Sequence, residues 1–137
     1  MNRLATWLSL VLIVAGCGGK TETRPPTFPV SGKVVSKGQP VDGATLMFHP
    51  ASPTLKQFPG YAKTDKDGSF KVSTFDAGDG APEGDYSVTI TWLTVVPEDG
   101  GYGDDRYQGK FNNPATTPFK AKVSKPSTEL APFEVPQ

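Results

Sequence analysis

The chain is short of cysteine, histidine and net charge, and each shortage excludes something. It has one cysteine, Cys17, so an intramolecular disulfide is impossible and stability has to come from packing. It has one histidine, His49, with no second imidazole or thiol to complete a zinc ligand set. Fourteen Lys and Arg balance fourteen Asp and Glu, which leaves no electrostatic footprint for nucleic acid and no basic cluster for anionic lipid. No apolar run is long enough to cross a bilayer comfortably as a helix. Internal repeats and low-complexity tracts are also missing. What the chain holds in excess is Gly, at 15, and Pro, at 14, which divide it into short segments better suited to strands than to long helices.

The N-terminus reads as a secretion signal. Arg3 supplies the positive start, and residues 4–14 form an apolar run broken only by Thr6 and Ser9. The run ends in Val14-Ala15-Gly16-Cys17, which resembles the lipobox of bacterial lipoproteins: an aliphatic residue, two small residues, then cysteine. That resemblance implies cleavage after residue 16, a thioether-linked diacylglycerol on Cys17 and fatty acylation, palmitate for example, of the new amino group. It also accounts for a lone thiol in an exported protein, because the lipid consumes it. Two or three acyl chains hold a protein stably on a membrane where one does not. The expected address is the bacterial cell envelope, with the lipid bilayer as partner through acylated Cys17. The outer membrane facing the periplasm, or the cell surface, is the expected place. Removing residues 1–16 takes away Arg3 and no acid, so the mature chain carries one more acid than base.

Residues 17–29 follow as the lipidated cysteine and a polar, proline-bearing tether, and residues 30–137 as a single domain. Within it, alternation places Val30, Gly32 and Val34 on one face of a first strand, 30–36. A second strand, 44–49, turns Ala44, Leu46 and Phe48 inward. Strands 61–64 and 69–74 flank Asp65-Lys66-Asp67-Gly68, whose spacing predicts a hairpin with Gly68 in the left-handed position of a bulged turn. Residues 85–92 have the clearest pattern: Tyr86, Val88, Ile90 and Trp92 on one side, Ser87, Thr89 and Thr91 on the other. This is read as the central strand. Residues 93–118 are long and irregular. Strands at 119–123 and 130–135 close the chain, with Phe119, Ala121 and Val123, then Leu130, Phe133 and Val135, as their apolar positions. About seven short strands at this spacing predict an all-β sandwich.

Several segments together resemble the carboxypeptidase regulatory-like family: Val30-Ser31-Gly32-Lys33-Val34, Lys37-Gly38-Gln39-Pro40-Val41, Gly43-Ala44-Thr45-Leu46-Met47-Phe48, Thr64-Asp65-Lys66-Asp67-Gly68-Ser69-Phe70 and Pro82-Glu83-Gly84-Asp85-Tyr86-Ser87-Val88. The resemblance covers residues 30–92, with weaker support to 135. It implies a seven-stranded transthyretin-like, immunoglobulin-like β-sandwich, on a small lipoprotein of the bacterial envelope. The catalytic domain of the zinc carboxypeptidases is missing. The hydrolases that share this fold rely on several histidines and a C-terminal tyrosine–arginine–glycine–serine tail, and the iron dioxygenases of a related sandwich on two histidines and two tyrosines, whereas this chain has one histidine and ends Glu134-Val135-Pro136-Gln137. No cofactor, no bound metal and no enzymatic activity are expected.

The candidate binding surface is the stretch 97–118. Tyr102, Asp104, Asp105, Arg106, Tyr107 and Asn112 combine aromatic rings with acids and an amide, as a site for glycan or peptide would. The competing reading is that Tyr107 and Phe111 fold back over the sandwich edge. The expected function is a non-catalytic binding or structural module, its partner an envelope protein; the alternative is a module for cell-wall glycan. Asp65-Lys66-Asp67-Gly68 could start a calcium loop with Asp76 as its twelfth position, although Phe70 and Val72 between them read as strand. A Lys33 isopeptide crosslink would need an asparagine on the last strand, which offers only Glu129 and Glu134.

Overall fold

The structure is a computed structural model that describes Gly18 and residues 23–136. The expected signal segment 1–16 and Cys17 lie outside the described residues. The described chain is all-β. Its strands are β1 (Val30–Ser36), β2 (Gln39–Pro40), β3 (Thr45–Pro50), β4 (Gly60–Lys63), β5 (Ser69–Lys71), β6 (Gly84–Thr91), β7 (Leu93–Val95), β8 (Tyr102–Asp105), β9 (Lys120–Val123), β10 (Thr128–Glu129) and β11 (Phe133–Glu134). A single 3-10 turn stands at Pro53–Leu55. No helix among the described residues is long and apolar enough to cross a membrane.

Two sheets carry the core. In one, β1 pairs antiparallel with β5 and β2 and parallel with β10 and β11. The other runs β4-β3-β6-β9, antiparallel throughout, with β6 inside it as its pattern predicts. The inward faces follow the period of two: Val30 and Val34 from β1 and Phe70 from β5, against Leu46 and Phe48 from β3 and Val88 and Ile90 from β6, all buried. Aromatic contacts join the sheets. The Phe48 ring lies 6.0 Å from Phe70 across the two sheets, and within the β1 sheet Phe70 stacks on Phe133 at 6.1 Å. Phe119, Ala121, Val123, Phe133 and Val135 are buried as their alternation predicts, while Leu130 and Trp92 are only partly covered.

Four strands exceed the seven read from the sequence. Two of them, β2 and β10, reflect how β1 changes partners along its length: β10 pairs with its start, β11 and β2 with its end. The other two, β7 and β8, form a hairpin inside the stretch read as irregular.

The expected hairpin at 61–74 holds at both ends. Tyr61 and Ser73 exchange two backbone bonds of 2.8 Å, and the Asp65 amide donates to Ser69 O at 3.0 Å. Between those ends the strands part: β4 joins β3 in one sheet, β5 joins β1 in the other. One hairpin thus turns the corner between two sheets, a role that alternation alone does not signal. Gly68 takes φ +78°, the left-handed position expected of it.

The upstream stretch, read as tether as far as Pro29, is bound to the domain over its last residues. The Phe28 amide donates to Ala81 O at 2.9 Å, and the Ala81 amide donates back to Phe28 O at 3.1 Å. Gly80 stands at φ +90°, where a Cβ would collide with the Phe28 carbonyl.

Candidate functional site

The stretch 93–118 is built around one carboxylate. Trp92 ends the long apolar face of β6, and the chain then reverses through β7 and β8, with Leu93 opposite Asp105 and Val95 opposite Tyr102. Asp105 accepts from the amides of Trp92 at 2.9 Å, Tyr107 at 3.0 Å and Gly109 at 2.9 Å. It therefore fastens the base of the hairpin to the turn that follows. Past it, Tyr107 enters the interior, only 3% exposed. A file of rings runs from there into the core: Trp92 to Tyr107 at 5.7 Å, Tyr107 to Phe111 at 5.5 Å, Phe111 to Phe119 at 5.3 Å and Phe119 to Phe133 at 5.6 Å.

The six residues singled out from the sequence therefore separate. Asp104, Asp105 and Arg106 share a shallow depression of about 470 Å³ with Thr94 and Gln108. The Arg106 guanidinium lies 4.4 Å over the Trp92 ring, a cation–π placement that fixes its direction. Tyr102 is 65% exposed on the hairpin, with the Lys63 ammonium 5.7 Å from its ring centroid. Asn112 is exposed on the turn after Gly109, outside the depression. Tyr107 is a core residue: burial pushes its phenol above the ordinary value, and among the described residues its Oη has no hydrogen-bond partner within bonding geometry. The fold-back of Tyr107 and Phe111 over the sandwich, weighed as the competing reading, is the arrangement the structure has.

Two further concavities were not legible in the sequence, because each joins residues from distant segments. One, of about 500 Å³, crosses the outer face of β5 and β1, where Lys33, Lys63 and Lys71 alternate with Asp65 and Glu129. The other, of about 460 Å³, has Met47, His49 and Ser87 on its strands and Pro59 and Pro114 on its walls. His49 Nε2 is 3.0 Å from Thr89 Oγ1, and burial holds the imidazole below its usual value. Period-two alternation puts Met47, His49, Ser87 and Thr89 on the outward faces of β3 and β6, the only sequence signal for this cleft.

The acidic turns close the backbone. Asp65 Oδ1 and Asp67 Oδ1 both accept from the Ser69 amide, at 3.1 and 3.0 Å. A hydrogen bond between the two carboxyls raises Asp65 and lowers Asp67 to about 2. Asp76, the would-be twelfth calcium position, lies beyond the opposite end of β5, in a loop closed by Asp79. Among the described residues no group of three or more His, Cys, Asp or Glu side chains converges on a point.

No protein-family model matches the chain, and no curated protein matches it. Among solved structures, a 9R-lipoxygenase from Cyanothece PCC8801 is similar over 82% of this chain and 17% of its own, with 14% identity and a TM-score of 0.45.

Proposed function

We propose that the protein is a lipid-anchored lipoprotein of the bacterial envelope, whose β-sandwich acts as a binding or structural module without catalysis. The observation that carries this reading is the position of the only cysteine, directly after Val14-Ala15-Gly16 at the end of an apolar run. Supporting it, an all-β unit follows the cysteine, its first long strand at Val30–Ser36. Seven of its strands (β1, β3, β4, β5, β6, β9 and β11) overlap the segments that alternation in the sequence marks as strands. The Tyr86 hydroxyl donates to Pro82 O at 2.7 Å, the arrangement of a tyrosine corner in immunoglobulin-like sandwiches. The absence of catalysis is supported by how the reactive groups are used: Asp105 is committed to three backbone amides, and His49 to Thr89.

The test is mass spectrometry of the chain extracted from host membranes. The expected N-terminal species begins at Cys17 and carries diacylglycerol, and Cys17→Ser leaves the membrane fraction or stays unprocessed. A membrane-extracted chain beginning at Met1, or with Cys17 unmodified, overturns the reading. A second reading, glycan binding, is favoured by the exposed Tyr102 ring beside the Asp104–Arg106 depression. Binding to a cell-wall glycan panel that Tyr102→Ala abolishes would establish it; no binding by the unaltered chain would remove it.

A further inference from the structure

The two ends of the sandwich differ, and the N-terminal segment is tied to only one. The Arg24 guanidinium lies 5.0 Å over the Phe75 ring, and Phe75 meets Phe58 edge-on at 5.3 Å. Both rings are half-buried. The Phe28–Ala81 bonds hold the segment to the same end, and Lys125 lies over the Phe28 ring at 5.6 Å. From there β6 runs eight residues to Thr91, so Trp92 and the β7–β8 hairpin stand about 25 Å away.

Six residues, and so seven Cα–Cα steps, separate Cys17 from Arg24. Whatever its conformation, that length reaches at most about 25 Å. The link is therefore no longer than the sandwich is tall. We infer that the end bearing Arg24, Phe58 and Phe75 rests against the bilayer, its two rings in the headgroup region, and that the β7–β8 hairpin points away from the membrane. The inference rests on the lipid anchor at Cys17. Charge does not drive the contact: Arg24, Lys56 and Lys125 at this end are offset by Asp76, Asp79 and Glu83. The contact comes from the aromatic rings and the short reach of the link, and zwitterionic lipid suffices for it. It also puts the Tyr102 and Asp104–Arg106 surface where a partner beyond the membrane can meet it.

The experiment uses the full chain with Trp7→Phe, which leaves Trp92 as the sole indole, and the same chain with Phe75→Trp added. Each is prepared as isolated from host membranes and, where the Cys17 thiol is free, after coupling to a maleimide-headgroup lipid. Both are then placed in phosphatidylcholine vesicles with or without lipid brominated near the headgroup. Trp92 emission should be unchanged, and the Phe75→Trp chain should lose about half its emission, the share of one indole in two. Amide exchange on the unaltered chain gives a readout free of substitutions: 53–58 and 75–79 should slow on vesicles, and 97–105 should not. Quenching of Trp92, quenching of neither chain, or protection on the hairpin overturns the orientation. Protection of 53–58 and 75–79 that rises with protein concentration in the absence of vesicles assigns that end to a second copy, and also overturns it. A chain recovered with a free Cys17 thiol overturns the anchor itself, whereas an anchored chain whose Phe75→Trp indole is unquenched overturns the orientation alone.

Discussion

Tyr86 Oη donates to the Pro82 carbonyl at 2.7 Å while the Tyr86 ring packs 6.2 Å from Phe48. One side chain thus seals the core of the β4-β3-β6-β9 sheet and pins the loop that enters its central strand. Burial pushes the phenol up to about 12. Tyr86→Phe keeps the ring and strands the Pro82 carbonyl, so it should cost about 1–3 kcal/mol in urea unfolding. The sign at high pH follows from the raised value. Above about pH 10 the unfolded phenol has released its proton and the folded one has not, so stability falls as pH rises from about 10 to about 12. The Tyr86→Phe chain should lack that part of the fall.

Ile90 and Thr89 are neighbours on opposite faces of β6, with Ile90 wholly buried and Thr89 6% exposed. Ile90→Ala should destabilise by about 2–5 kcal/mol, through lost burial and the cavity left behind. Alternation alone predicts almost no cost at Thr89. The structure changes that, because the Thr89 hydroxyl meets His49 Nε2 beneath the outer cleft. Thr89→Ala should cost about 0.5–1.5 kcal/mol. Equal losses at the two positions in chemical unfolding would mean that the facing of the strand is wrong.

Asp104 and Asp105 are adjacent acids with different duties. Asp105→Ala removes the acceptor of three backbone amides and should cost about 1.5–3 kcal/mol, with faster amide exchange at Trp92, Tyr107 and Gly109. Asp104→Ala, on the exposed side of β8, should leave unfolding within about 0.5 kcal/mol of the parent. A ligand that binds the depression should therefore be tested with Asp104 and Arg106 variants, because loss of binding at Asp105 would also report a loosened hairpin.

Asp79 and His49 both contribute to the acid side of the stability curve. Burial works against the charge on Asp79, yet the amides of Thr74, Asp76 and Phe75 together hold its carboxyl below the ordinary value. Its contribution is complete above the unfolded value of about 3.9 and is lost as pH falls through the folded one. Burial lowers His49 as well, so the unfolded chain binds the extra proton first, and stability declines as pH falls below about 6.5. Thermal unfolding followed from pH 7 to pH 3 should show both declines. Asp79→Asn should reduce the lower one, which Asp67 shares, and His49→Gln should remove the upper one.

Much of the fold was legible because burial on a strand has period two. Leu46, Phe48, Val88, Ile90 and Val123 occupy the apolar positions that alternation assigns, and all are buried. The left-handed turn at Gly68 was legible for a local reason too, since only glycine takes that conformation at no steric cost. Within the stretch 97–118, the sequence did not separate the residues that face solvent from those that face the core. Rings and acids close together in the chain look alike whether they face solvent or core, and it took the turn fastened by Asp105 to send Tyr107 inward and leave Tyr102 outside. The splitting of one hairpin between two sheets, the clefts that join residues far apart in the chain and the docking of Arg24 on Phe75 depend on long-range contacts. Local alternation and turn chemistry carry no record of those contacts, because which strands become neighbours is settled by the packing of the whole core.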